Sequence, residues 1–133
     1  MKTKVMTVGI ISKEDYRKRT IAIAKGEYKP KKNEPKIWFE SIASMAQVLN
    51  SDNQELLRTI IHNKPRSISD LEKITSRKKS NLSRTLKTLE KYGIVDLKKE
   101  GGKVIPEVKA TDFNVRFGLH YSHPVNGEKT LTV

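Results

Sequence analysis

The 133-residue chain has no cysteine, so it can contain neither a disulfide framework nor a thiolate metal site. It also lacks long apolar runs. The N-terminal stretch 5–11 is short, is broken by Thr7 and Gly9, and leads into charged residues without a small-residue cleavage signal. No segment approaches the length that would span a bilayer, so a membrane role is not expected. Aromatic residues make up only 6% of the chain and form no evident exposed platform for stacking bases, which counts against the rival reading of the same fold acting on RNA. No glycine-rich phosphate loop follows a strand, and no His-Glu-x-x-His run or acid–base constellation appears. His120 and His123 alone have a metal-like spacing, without cysteine or nearby carboxylates to complete a site. An enzyme, a cofactor and a metal are therefore not expected.

Acid is also scarce relative to base. Fifteen Asp and Glu face twenty-seven Lys and Arg, a formal net charge of +12. Such an excess implies an anionic partner, with nucleic acid ahead of an acidic protein or an anionic membrane surface. A lysine taken singly is usually a solvated side chain. Between 76 and 91, however, six cations (Arg77, Lys78, Lys79, Arg84, Lys87, Lys91) meet one acid, Glu90.

That cluster lies on a helix. At 3.6 residues per turn, Leu82, Leu86 and Leu89 form one stripe, while Ser80, Arg84, Lys87 and Lys91 form the opposite one, flanked by Asn81, Ser83 and Thr88. Gly93 supplies the left-handed residue that ends a helix. Upstream, Ser67-Ile68-Ser69-Asp70 is a capping-box pattern opening a short helix through Leu71 and Ile74, closed by Thr75-Ser76-Arg77. Downstream, 94–98 alternates as a strand, Glu100-Gly101-Gly102-Lys103 reads as a tight hairpin, and 104–108 returns, with Pro106 marking an edge strand. Helix, turn, basic helix and hairpin make the plan of a winged helix-turn-helix.

The run SISDLEKITSRKKSNLSRTLKTLEKYGIVDLKKEGGKVIPEV resembles the winged-helix core of MarR-type bacterial and archaeal transcription regulators. Within it, NLSRTLKTLEKYGIV matches their recognition helix and its exit into the wing. The longer pattern, with WFESIASMAQVLN and NQELLRTI, is similar to small predicted DNA-binding proteins described as antitoxin components, over the chain to about Leu119. The resemblance implies repression by occluding a promoter.

The remaining segments frame this unit. Residues 1–11 read as a strand with Met6, Val8 and Ile10 on one face. Ser12 caps a basic helix over 13–25 with Tyr16, Ile21, Ile23 and Ala24 as its apolar positions, and 28–36 reads as a linker. A helix is expected over 37–49, with Trp38, Ile42, Met45, Val48 and Leu49 as core candidates, and another over 54–62, burying Leu56, Leu57, Ile60 and Ile61. Phe113, Val115, Phe117 and Leu119 alternate as a further strand, expected to join the N-terminal strand in a small sheet, within or between protomers. Residues 120–133 read as a tail.

The expected fold is thus mainly α with a small β wing (α+β). An N-terminal strand–helix arm and linker occupies 1–36, a winged helix-turn-helix DNA-binding domain 37–110, and a C-terminal strand and tail 111–133. The expected function is that of a cytoplasmic, homodimeric, sequence-specific double-stranded DNA-binding transcription regulator, a repressor reading the major groove with helix 78–91 and the flanking groove or backbone with the 94–108 wing. Lys79, Ser80, Asn81, Arg84 and Lys87 are the base-edge candidates, since arginine can grip guanine and asparagine adenine through two bonds. Lys78, Ser83, Thr88 and Lys91 are phosphate candidates. Lys98, Lys99 and Lys103 flank the wing turn, and Ser67, with Ser69, can offer helix-start amides to phosphate. The alternative is an antitoxin-type protein that neutralises a cognate toxin, with DNA autoregulation secondary. Arg17, Lys18 and Arg19 could follow the DNA backbone, bind such an acidic partner, or be solvated.

Overall fold

A computed structural model of the chain describes residues 3–119. Its elements, in order, are β1 (Val5–Ile10), α1 (Lys13–Ala24), β2 (Ile37–Phe39), α2 (Ile42–Val48), α3 (Ser51–Asn63), α4 (Ile68–Thr75), α5 (Lys79–Lys91), β3 (Val95–Glu100), β4 (Lys103–Val108) and β5 (Asp112–Arg116). Among the described residues this is an α+β protein of five helices and five strands. The expected tail, with His120 and His123, lies outside them. The chain divides into two compact units, one of Ala46–Asp112 with the chain up to Val5, the other of Met6–Met45 with the chain from Phe113.

In the Met6–Met45 unit a three-stranded sheet runs in the order β2-β1-β5. β1 and β2 pair in parallel, Val8 opposite Ile37, Gly9 opposite Trp38 and Ile10 opposite Phe39. A parallel pair needs a crossover, which α1 supplies. β1 buries Val8, Gly9 and Ile10 in succession, as a strand covered on both faces does. Gly9 is required by a close approach: a Cβ there would lie 2.5 Å from Trp38 Cζ3 and 2.8 Å from Pro35 Cγ. The expected helix over 37–49 is therefore corrected. Its first three residues are a strand, because β1 offers Ile37-Trp38-Phe39 a parallel hydrogen-bonding edge. The helix starts only at Ile42, where Ser41 Oγ accepts from Ser44 N (3.0 Å). Val48 is buried as expected, while Ile42 is exposed.

α1 also differs from its expected pattern. Ser12 caps it as read, accepting from Asp15 N (3.1 Å), but Tyr16 and Ile21 face solvent, and the buried positions are Ala22 and Arg19. Arg19 is drawn inward by Glu34, whose carboxylate accepts from its Nη2 at 2.8 Å. It is flanked by the Tyr28 and Trp38 rings, 5.8 and 4.9 Å from the guanidinium carbon. The expected linker is irregular and exposed over 29–33, and its Tyr28, Glu34 and Pro35 pack, Glu34 supplying a counter-ion. β5 joins the N-terminal strand in one sheet, but ends at Arg116, short of the expected run to Leu119.

In the Ala46–Asp112 unit the core is built from Leu56, Leu57, Ile60, Ile68, Leu71, Leu82, Leu86, Leu89, Ile94 and Val95. α3 begins three residues earlier than expected, at Ser51, with Asn50 as its cap, because Asn50 Oδ1 accepts from Asn53 N (2.8 Å). β3 and β4 form an antiparallel hairpin in which Glu100 opposes Lys103. Gly101 (φ 58°) and Gly102 (φ 77°) both take the positive φ that a two-residue turn of this hand requires.

Candidate nucleic-acid interface

α5 is held from both sides before it can present anything. Leu82, Leu86 and Leu89 are fully buried, so one stripe of the helix is fixed against the core. Its start is set by α4. Ser67 caps that helix, accepting from Asp70 N at 3.0 Å, while Asp70 Oδ2 accepts from Arg66 N at 3.2 Å. α4 ends at Ser76 in the left-handed region (φ 61°), and Thr75 Oγ1 accepts from Arg77 N at 3.2 Å across the turn. Glu72 Oε2 then accepts from Lys79 N at 3.3 Å, tying α4 to the first turn of α5.

The opposite face of α5 is open. Lys78, Lys79, Ser80, Arg84, Lys87, Thr88 and Lys91 are all exposed. Among the described residues none of the lysines or Arg84 on this helix makes an ion pair. The first turn carries no acidic residue of its own, but the Glu72 carboxylate on the Lys79 amide offsets part of the positive end of the helix dipole. Ser83 is half-buried on the flank, and Thr88 donates to the Arg84 carbonyl (3.1 Å).

Asn81 sits differently from its neighbours. Its Oδ1 accepts two bonds from Arg77, from Nε at 3.0 Å and Nη2 at 2.7 Å, and Nη2 also reaches Thr85 Oγ1 at 3.3 Å. With Oδ1 engaged, Asn81 retains its amide as a donor, but it lacks the free acceptor that a paired contact to adenine uses. Arg77 is thus a positioning residue that sequence reasoning counted only as charge. Its spacing from Asn81 and Thr85, four and eight residues, is the signal that could have found it.

Of the hairpin candidates, Lys99 and Lys103 are exposed beside the turn, and Lys98 pairs with Glu107 at 3.2 Å on a half-exposed surface. That bond is weak enough for a phosphate to compete with it. Ser67 is half-buried with its hydroxyl oxygen in use as a cap, so it can serve an anion only through backbone amides. A groove of about 870 Å³ lies between α3, the end of α4 and the start of α5. Asp52 and Glu55 form its α3 wall, which repels phosphate and marks where the cationic surface stops.

What this arrangement defines is an α+β unit with a cation-bearing helix seated on a leucine core beside a glycine-turned hairpin. Among the described residues no helix is long and apolar enough to cross a membrane, and no cluster of three or more His, Cys, Asp or Glu could hold a metal ion. The chain belongs to the HVO_A0114 family, whose model matches residues 48–115, just over half of its length. No curated protein and no solved structure matches it.

Proposed function

We propose that α3, α4, α5 and the β3–β4 hairpin form a winged helix-turn-helix. In this reading the protein is a sequence-specific double-stranded DNA-binding regulator, a cytoplasmic repressor acting as a homodimer on a pseudo-palindromic operator. The observation that carries the reading is the division of α5, with Leu82, Leu86 and Leu89 fully buried on one side and Ser80, Arg84, Lys87 and Lys91 exposed on the other, the three cations without an acid partner among the described residues. A helix so divided can enter the major groove without disturbing its own core. The net charge of +12 supports a polyanionic partner.

Selection from random duplex oligonucleotides by the full chain, at two salt concentrations, tests the reading. An inverted repeat is expected to be enriched, with affinity falling steeply as salt rises because Lys and Arg displace counterions from phosphate. Recovery of unrelated sequences with salt-sensitive affinity would mean general polyanion binding, and the proposal would be wrong.

Two variants separate reading from gripping. Arg84→Ala is expected to cost about 1–3 kcal/mol of binding and to relax discrimination at one base position. Lys91→Ala should weaken all sequences alike. Fluorescence anisotropy against the selected site and its point variants measures both effects, and an unchanged base preference in Arg84→Ala would remove that residue from the reading surface.

A further inference from the structure

β5 is the outer strand of its sheet. In the order β2-β1-β5 only one of its edges is paired, and among the described residues no strand lies along the other. A free edge offers a row of backbone donors and acceptors to any strand that can run beside it. Phe113 and Val115 lie on one face, continued by Phe117 beyond the strand. Phe113 is half-buried, but Val115 is 45% and Phe117 54% exposed. Asp112, Asn114 and Arg116 share the other face, all exposed.

The strand is complementary to itself when run antiparallel. A two-fold axis through Asn114 sets Asp112 opposite Arg116, Phe113 opposite Val115, and Asn114 opposite its own copy. Each carboxylate then faces a guanidinium, and each aromatic ring a β-branched side chain. Moving the axis by one residue in either direction sets Asn114 against one of the charged residues and loses both ion pairs. The charged groups keep capacity for this contact. Arg116 uses Nη1 on the Asn33 carbonyl (2.9 Å), and Asp112 accepts from Thr111 Oγ1 through Oδ2 alone (3.1 Å).

We propose that two copies of this chain pair edge to edge through β5, antiparallel about an axis at Asn114, joining their three-stranded sheets into one. The proposal gives the homodimer its interface; it rests on the two-fold symmetry of the preceding reading and is tested without DNA. The absence of native cysteine makes the test clean, because Asn114→Cys introduces a single thiol per chain. Opposed Cα atoms in an antiparallel pair lie about 4.5–5.5 Å apart, within the span of a disulfide. Mild oxidation of the full-length Asn114→Cys protein should give a covalent dimer on a non-reducing gel, while Lys29→Cys should remain monomeric.

Sedimentation equilibrium supplies the second arm. Arg116→Asp and Asp112→Arg each set like charges opposite one another and should raise the dimer dissociation constant about tenfold. The double swap should restore it. A wild-type monomer, a dimer that does not cross-link through position 114, or a double swap no better than either single swap overturns the proposal. Capture of 120–133 or of a foreign strand by the edge would appear as one of these outcomes. An enriched inverted repeat from a protein that fails to cross-link would leave the DNA reading standing and this interface disproved.

Discussion

Leu86→Ala is expected to remove about 2–5 kcal/mol of stability, the usual range for truncating a buried leucine when the surroundings cannot collapse into the space. Leu86 is fully buried between Leu82 and Leu89 on the stripe that seats α5, and helix α4 and strand β3 close around that stripe. With a whole domain held by only about 5–15 kcal/mol, the loss is a large fraction of the total. Urea unfolding followed by far-ultraviolet circular dichroism measures it, with Leu86→Met as the volume-conserving control, expected to lose less than about 1.5 kcal/mol. A Leu86→Ala protein as stable as the parent would show that the leucine stripe does not anchor the helix.

The second large effect lies in the Met6–Met45 unit. Glu34→Ala leaves the Arg19 guanidinium with 9% of its side chain exposed and no carboxylate, and Arg19 Nε already lacks a hydrogen-bond partner. Breaking a buried pair by removing one member costs about 3–5 kcal/mol, more than the pair itself contributes. The neighbouring rings of Tyr28 and Trp38 return part of that through cation–π attraction. Trp38 is the single tryptophan of the chain, so its fluorescence reports unfolding of this unit directly. The double variant Arg19→Met/Glu34→Ala should recover most of the loss, because it buries no unpaired charge. If Glu34→Ala unfolded at the parent's midpoint, Arg19 would not depend on its ion pair.

The contrast between these two sites explains how much of the molecule was legible in the sequence. The α5 stripe, the Ser67–Asp70 cap and the Gly101-Gly102 turn are local patterns, set by residues three to seven apart or adjacent, and each stands where it was read. Ile37-Trp38-Phe39 was misread because a three-residue apolar run suits a helix or a strand equally, and its deciding partner is Val8 to Ile10, far upstream. Arg19 was misread for a related reason. In the basic run Arg17-Lys18-Arg19 nothing local distinguishes the inward residue from its exposed neighbours, since Glu34, Tyr28 and Trp38 come later in the chain. At the candidate interface the exposed cations were legible from helical phase. The engagement of Asn81 by Arg77 was not, because periodicity describes direction and not which acceptor a guanidinium selects.

The link between Lys4 and Thr111 bears on how the chain matures. Lys4 N donates to Thr111 Oγ1 at 2.8 Å, and Lys4 O accepts from the amides of Thr111 and Asp112 at 2.8 and 3.1 Å, across 107 residues of sequence. Among the described elements β1 is synthesised before the five helices and β5 after them. The helices between them close short loops and order first, whereas a contact of this sequence span is slow to form. A nascent chain therefore has its cationic helix made before the β5 edge, so the edge pairing proposed above would follow the ordering of that helix.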